Sequence, residues 1–506
     1  MIKFIDDFLN NITMYRLILY YLIILLIIAT IFCFLGVLPF NPFSLIFSTL
    51  FITIVCWSTN TLFASVFKAQ PNVESVYVTA MILSLIITPI TTPNDLWFLG
   101  WASIWAMASK YIFAINKKHI FNPAAFAVAL TAITINQSAS WWVGTLPMTA
   151  FVTIGGLLVV RKIRRWDMIF TFFVFALGTV ILFGISKGEN IFSLLQKLIE
   201  DSSLLFFAFV MLTEPLTTPP TKQLQNYYGA LVGILFAPQI HIGSFYSTPE
   251  LALIAGNIFS YIVSPKEKLI LELKEKIKIA PDIYDFIFSV NQKFSYKPGQ
   301  YMEWTFRHNK PDGRGNRRYF TLASSPTENE IRVGIKFYEN SSSFKKSMLA
   351  TNPGSKIIAS QLAGDFYLPN DLNKKFLFIA GGIGITPFRS IIKYLLDTNQ
   401  KRDAVLFYAN KKASDIIYQD VFDKANEQLQ IRTIYTLTDK AQIPPDWNGK
   451  AGYVDEQMIM QEVPDYKERV FYLSGPHSMV SSFEKTLSKI GVSKSQIITD
   501  FFPGFA

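Results

Sequence analysis

The sequence predicts a polytopic α-helical membrane domain of about ten spans, followed by an antiparallel β-barrel and a doubly wound α/β domain. Three observations carry that expectation. Apolar runs long enough to cross a bilayer crowd the first half; short alternating segments between turn residues follow; a glycine-rich strand-to-helix turn opens the last third. The chain has 506 residues, 51% of them hydrophobic, with room for about three domains at ~150 residues each. The apolar excess ends near residue 263, so the expected domains are 1–263, 264–370 and 371–506.

The first run, 17–38, is long enough to span and is followed by further spans rather than by a small-residue cleavage site. Others follow at 44–66, 75–92, 97–115, 122–135, 141–160, 167–185, 203–213, 226–238 and 249–263. The runs 203–213 and 226–238 are short and end in Pro and Thr, the pattern of broken helices that face protein or a cavity. Lys and Arg set the orientation. With Lys3 and Arg16 in the cytoplasm, Lys68, Lys117, Lys118, the cluster Arg161, Lys162, Arg164 and Arg165, Lys222 and Lys266 all fall on that side. The opposite loops hold only Lys187 and Lys197. Both termini are therefore expected in the cytoplasm, and the chain in the inner (cytoplasmic) membrane.

The net charge is +10, but the basic residues sit in short loops between apolar runs and form no continuous face. A nucleic-acid partner is excluded on that ground; the lipid bilayer is the expected one. The two cysteines, Cys33 and Cys56, lie inside apolar runs and cannot supply the four thiolates of a plant-type iron–sulfur cluster. No metal site is expected. Of the four histidines, only His119 and His241 belong to the membrane half. Two cannot ligate a stacked pair of haems.

From 269 the pattern changes to strands at Leu269–Ile279, Ile283–Val290, Tyr301–Phe306, Arg318–Ala323 and Ile331–Tyr338, separated by turns such as Lys297-Pro-Gly-Gln300 and Asp312-Gly313. This reads as a small antiparallel barrel. After Pro369, strand Phe376–Ala380, helix Phe388–Leu396, strand Ala404–Tyr408, helix Val421–Gln428 and strands Ile431–Leu437 and Val470–Leu473 alternate as in a doubly wound parallel sheet.

Two segments carry chemistry. Gly381-Gly382-Ile383-Gly384-Ile385-Thr386-Pro387 follows an apolar strand and opens an amphipathic helix. Its glycines admit a phosphate to the backbone, and the helix N-terminus offers free N–H groups. Pro387 suits the first helical turn. The spacing is not Gly-x-Gly-x-x-Gly. Arg318-Tyr319-Phe320-Thr321-Leu-Ala-Ser324 places a cation, two aromatic rings and a hydroxyl on one strand. An arginine pairs with pyrophosphate, and a ring stacks on a flat heterocycle.

Together these segments resemble the ferredoxin–NADP reductase superfamily. The resemblance covers about 265–506, with the motifs in the expected order. It implies FAD and NADH or NADPH as cofactors. Arg318 would contact the FAD pyrophosphate, with Ser342 and Ser343 as a second phosphate segment. Tyr319, Phe320 and Thr321 would border the flavin, Phe320 standing where a Tyr is usual. Gly381, Gly382, Gly384, Thr386 and Pro387 would hold the nicotinamide nucleotide's pyrophosphate. Gly475 and Pro476, in Ser474-Gly-Pro-His-Ser-Met479, would lie beside the nicotinamide. The closing segment Asp500-Phe-Phe-Pro-Gly-Phe505 would bring Phe502 to the reacting centre with Thr321. The membrane half resembles the RnfD/NqrB family through Lys118-His-Ile-Phe-Asn-Pro123 and Thr213-Glu-Pro-Leu-Thr-Thr-Pro219. There Asn122, Glu214 and Thr217 are candidate ligands of a second flavin, FMN or riboflavin. Such relatives carry a Ser-Gly-Ala-Thr segment whose Thr bears FMN; this chain has none, so the group would be held non-covalently.

The expected function is an oxidoreductase passing electrons from NAD(P)H through FAD to a membrane flavin, a quinone, a partner subunit or another external acceptor. The rivals are a redox-driven ion pump or component of an Rnf/Nqr-like complex, and a ferric-reductase-like transmembrane enzyme. Ion coupling needs ionisable groups inside the membrane, and Glu74 and Glu214 both lie near span ends.

Overall fold

The apolar runs of the first half fold as helices whose starts the sequence encodes locally. The computed structural model describes every residue except 1–4, 6, 7, 10, 11, 69–72, 116, 117, 201, 202, 244, 265–267, 291–293, 307, 309–311, 313–315, 340 and 501–506. The chain divides into two compact units between Lys268 and Leu269. In the first, α1 (Met14–Phe34), α2 (Pro42–Val66), α3 (Val73–Ile86), α4 (Asp95–Ile112), α5 (Pro123–Ile135), α6 (Leu146–Ile163) and α7 (Trp166–Ser186) precede a short α8 (Ile191–Glu200). A helical turn at Leu204–Phe206, a π-helix at Phe207–Met211, α9 (Lys222–Phe236) and α10 (Pro249–Val263) complete the unit. Asn41, Asn122, Thr221 and Thr248 cap α2, α5, α9 and α10 through their side chains, and a proline follows three of those caps.

Among the described residues four helices, α1, α2, α6 and α7, are long and apolar enough to cross a membrane. That is coarser than ten spans: helices stand at the other expected places, but α3, α5 and α10 are shorter apolar helices. Ile54, Phe170 and Leu182 are more than half exposed, as residues facing lipid would be. α9 packs closely on α7. A side chain at Gly229 or Gly233 would run into the Met168 or Phe172 carbonyl oxygen of α7, so this spacing of small residues lets two backbones approach. The loop that carries Lys187 and Lys197 in the sequence reading contains α8. Leu194 fills the space over Gly184, so α8 folds back on α7.

In the second unit, β1 (Lys268–Ala280), β2 (Ile283–Ser289), β3 (Tyr301–Thr305), β4 (Arg317–Thr321), β5 (Glu330–Lys336) and β6 (Lys356–Ala363) form one sheet in the order β4-β3-β6-β1-β2-β5. All the registered pairs are antiparallel. Alternation along β4 sends Arg318 and Phe320 to its buried face, with Met302 and Trp304 of β3 opposite them. β6 and the helix α11 (Ser343–Leu349) were not read from the sequence.

A second sheet follows, with β7 (Lys375–Gly381), β8 (Ala404–Asn410), β9 (Arg432–Leu437), β10 (Lys450–Ala451), β11 (Arg469–Ser474) and β12 (Ile497–Thr499) in the order β10-β9-β8-β7-β11-β12, all parallel. The helices are α12 (Thr386–Asp397), α13 (Gln419–Leu429), α14 (Glu456–Glu462) and α15 (His477–Lys489). The strand order reverses at β7, between β8 and β11. In open α/β sheets such a switch point is where ligands bind.

Candidate functional site

The glycine loop leaves β7 at Gly381, makes one 3₁₀ turn over Gly382–Ile385 and enters α12 at Thr386. Gly382 has φ +52°, a conformation that L side chains rarely adopt. A side chain on Gly384 would collide with the Ser474 carbonyl oxygen and the Gly475 backbone, and one on Gly475 would press on Gly381. The parallel pairing of β7 with β11 sets Ala380 opposite Ser474. Two motifs 90 residues apart in sequence therefore share the switch point, because neither carries a Cβ where they touch. Thr386 Oγ1 donates to the Ile383 carbonyl at 3.2 Å and tightens the turn. Pro387 stands in the first turn of α12.

Arg318 is 1% exposed. Its guanidinium lies 5.2 Å from the centre of the Phe344 ring, and Nη2 lies 4.0 Å from Asp312 Oδ1. Asp312 also accepts from the Ser343 N–H at 2.8 Å, while its own N–H donates to Ser343 Oγ at 2.9 Å. His308 Nε2 sits 2.9 Å from the same hydroxyl. The structure brings Arg318 and Ser343 together around a carboxylate and an imidazole that sequence reasoning missed. Ser342 caps α11, accepting from the Lys345 N–H at 3.3 Å. Phe320 is packed in the barrel core, 6.1 Å from Phe344. Tyr319 points the other way and donates to Glu303 at 3.0 Å.

Thr321 Oγ1 donates to Asp500 Oδ2 at 3.4 Å, and Ser474 Oγ donates to the same oxygen at 3.2 Å. Asp500 is held by its N–H to the Leu473 carbonyl at 3.0 Å. One carboxylate therefore ties the barrel strand to the last motif of the α/β sheet. The sequence pointed to the closing segment but not to this residue. Phe502 lies outside the described residues.

In the membrane unit, Asn122 Nδ2 donates to Glu214 Oε2 at 2.9 Å and Thr217 Oγ1 reaches the same oxygen at 3.3 Å. His119 Nε2 lies 3.6 Å from Glu214 Oε1. Arg165 donates to the Thr213 carbonyl at 3.2 Å and to Thr218. The two proline-broken motifs thus converge, and the π-helix delivers the second of them. Asn257 Oδ1 of α10 accepts from the Asn122 N–H at 2.7 Å. Beside them is a small pocket lined in part by His119, Thr217, Asn257, Ser260 and Tyr261. Ser260 Oγ is buried without a hydrogen-bond partner. Asn257 and Ser260 lie on a helix that no motif had marked.

Residues 143–266 match the family model described as NQR2, RnfD, RnfE family. Residues 378–485 match that of the oxidoreductase NAD-binding domain. The chain thus carries a segment similar to each of these families, the first in its apolar half and the second near its end. Among curated relatives, the glycine betaine monooxygenase reductase subunit of Pseudomonas aeruginosa strain UCBPP-PA14 is 25% identical over 224 residues, 44% of this chain and 60% of that protein. One component of the Na(+)-translocating NADH-quinone reductase of Marinomonas sp. is 28% identical over 161 residues, 31% of this chain and 39% of that one. The chain spans less than two thirds of the length of these relatives. The FAD/NAD-binding domain of nitric oxide dioxygenase from Vibrio cholerae aligns over 46% of this chain and 98% of its own, with 20% identity and a TM-score of 0.41.

Proposed function

We propose that this is a membrane-bound NAD(P)H-dependent flavin oxidoreductase. Residues 264–370 hold FAD and residues 371–506 hold the nicotinamide nucleotide, in this reading. The observation that carries it is the Asp500 carboxylate accepting from both Thr321 and Ser474. A strand suited to a flavin and a motif suited to a nicotinamide meet at one fixed point, and hydride transfer needs proximity and alignment above all. FAD, when bound, takes two electrons from the nicotinamide and can release them singly.

The residues present fit these groups. Arg318 and Ser343 already face the two oxygens of the Asp312 carboxylate, so their donors suit an anionic pyrophosphate. Gly382 leaves backbone open before the first turn of α12, where Thr386 and Pro387 stand, while Gly381 and Gly384 let the loop pack closely on Met479, Ser474 and Gly475. Gly475 and Pro476 flank the nicotinamide position. Tyr319 and Thr321 share the face of β4 that meets Asp500, and the reading assigns Phe502 to the reacting centre.

In the membrane unit the reading places a second, non-covalent flavin beside Asn122, Glu214 and Thr217. The pocket and the buried Ser260 hydroxyl support it. The topology that suits this has about ten spans and both termini in the cytoplasm. Electrons then pass to a quinone or a partner subunit. The reading is tested by extracting cofactors from the purified chain. FAD and a second acid-released flavin are expected, the second depleted by Glu214→Ala with Thr217→Ala. A folded chain without FAD would refute the reductase; a single flavin would refute the membrane site alone.

One observation favours ion coupling as a second reading. Glu250 is 3% exposed and accepts from Trp141 Nε1 at 3.3 Å. Buried carboxylates in membrane helices mark ion and proton pathways. Sodium or proton uptake by vesicles on adding NADH, lost in Glu250→Gln, is the test.

A further inference from the structure

Arg389 lies one turn into α12, three residues beyond Thr386, and is 5% exposed. Its Nη1 donates to the Ala323 carbonyl at 2.6 Å and to Glu328 Oε2 at 2.8 Å; Nη2 donates to Glu328 Oε1 at 3.0 Å. Ala323 is two residues beyond Thr321. The guanidinium thus spans from the helix of the glycine loop to the end of the proposed flavin strand with a bidentate, charge-assisted pair. The next residue repeats the connection: Ser390 Oγ donates to the Ser324 carbonyl at 2.6 Å and accepts from the Gly299 N–H at 3.4 Å.

A second set of contacts closes the same gap from the other side. Tyr418 has φ +58°, costly for a bulky residue. It is held there by donating to Asp285, and its ring lies 5.3 Å from the Arg389 guanidinium. Asp285 is fully buried and pairs with Arg332 at 2.7 Å. On β5, a Cβ at Gly334 would lie 2.7 Å from the Tyr418 hydroxyl and 3.0 Å from Thr386 Cγ2. The barrel therefore meets the glycine loop with no room for a methyl group.

We infer that Arg389 is a positioning residue for hydride transfer. With Glu328, Tyr418 and Gly334 it fixes the glycine loop against the flavin strand, and so sets the approach of the nicotinamide to the flavin. The inference rests on the reductase reading. Neither ion pair lies in the phosphate or ring contacts proposed above, so their loss acts on alignment rather than on binding. A misplacement of about 1 Å costs on the order of 100-fold in rate.

The test uses the full chain in detergent, charged with FAD, in anaerobic single-turnover reduction by NADH and NADPH. Arg389→Gln and Glu328→Gln should each slow flavin reduction about 10- to 100-fold. FAD content and nucleotide affinity should stay at the native level, and Arg389→Lys should recover part of the rate. The same rate with full FAD would overturn the inference, as would nucleotide affinity falling in step with rate in a fully flavin-loaded variant. If Arg389→Gln is recovered without flavin, Gly334→Ala decides by the same readout, since it alters no charge. A native chain that neither nucleotide reduces removes the reductase reading and this inference with it. A native chain reduced normally beside an equally fast Arg389→Gln protein removes the inference alone.

Discussion

Single side chains decide whether the site holds its charges. Arg318 is fully desolvated on the inner face of β4, and an anion reaching it gains a charge-assisted pair of about 1.5–3 kcal/mol. Arg318→Ala is therefore expected to lower FAD occupancy of the purified chain about 10- to 100-fold in affinity; full flavin content at native FAD concentrations would contradict its role. Asp465 shows the same chemistry away from the site. Hydrogen bonds from Arg469 outweigh its partial burial and, with Lys375, hold its carboxyl at about 2, below the ordinary 3.8. A depressed folded value contributes stability that is complete above the ordinary pKa and lost as pH falls through the folded one. The unfolding midpoint of the native chain should then drop more steeply than that of Asp465→Asn between pH 4 and pH 2; parallel curves would count against the pair. Glu328 is a related case, its carboxyl opposed by burial yet held below the usual range by Arg389. How far such residues were legible depended on spacing. Arg318 and the glycines announce themselves within a few residues of chain. Asp312, His308 and Asp500 do not, since each acts through a partner that only the fold brings near, 179 residues away for Asp500 and Thr321.

At the scale of elements, local grammar was the reliable signal. The side-chain caps and N1 prolines of α2, α5 and α10 mark helix starts wherever they occur, and alternation located β1 to β5 within a residue or two. β6, Lys356–Ala363, was missed because its burial does not alternate cleanly and its register shifts between Ser360 and Ala363. α8 was missed because its ten residues follow a polar Lys-Gly-Glu-Asn turn and read as a loop. Span counting reached less far for a different reason: apolar runs give existence but not helix length, and among the described residues four helices are long and apolar enough to cross a membrane. The α7–α9 contact offers a direct check. Gly229→Leu and Gly233→Leu should each cost about 1–3 kcal/mol through overpacking, read as a lower thermal midpoint in detergent. An unchanged midpoint would mean that the two backbones are not in close contact.

For the whole molecule, what matters is that two chemistries share one chain. A membrane domain with a cluster of polar side chains around Glu214 and an NAD-binding oxidoreductase domain make sense together if electrons travel between them. The orientation that permits this puts residue 95 and residue 506 on opposite sides of the bilayer, and reporter fusions at the two positions should give opposite sidedness; the same side for both would end the ten-span topology. The central claim is that the second half of the chain moves a hydride from a nicotinamide nucleotide to bound FAD. Its most direct test is an anaerobic titration of the purified full chain with NADH and with NADPH, following the flavin's visible absorbance. At least one nucleotide should bleach the FAD band fully within seconds, and Gly384→Val, which drives a side chain into Ser474 and Gly475, should abolish the bleaching with FAD still bound. A flavin-loaded native chain that neither nucleotide reduces would contradict that claim.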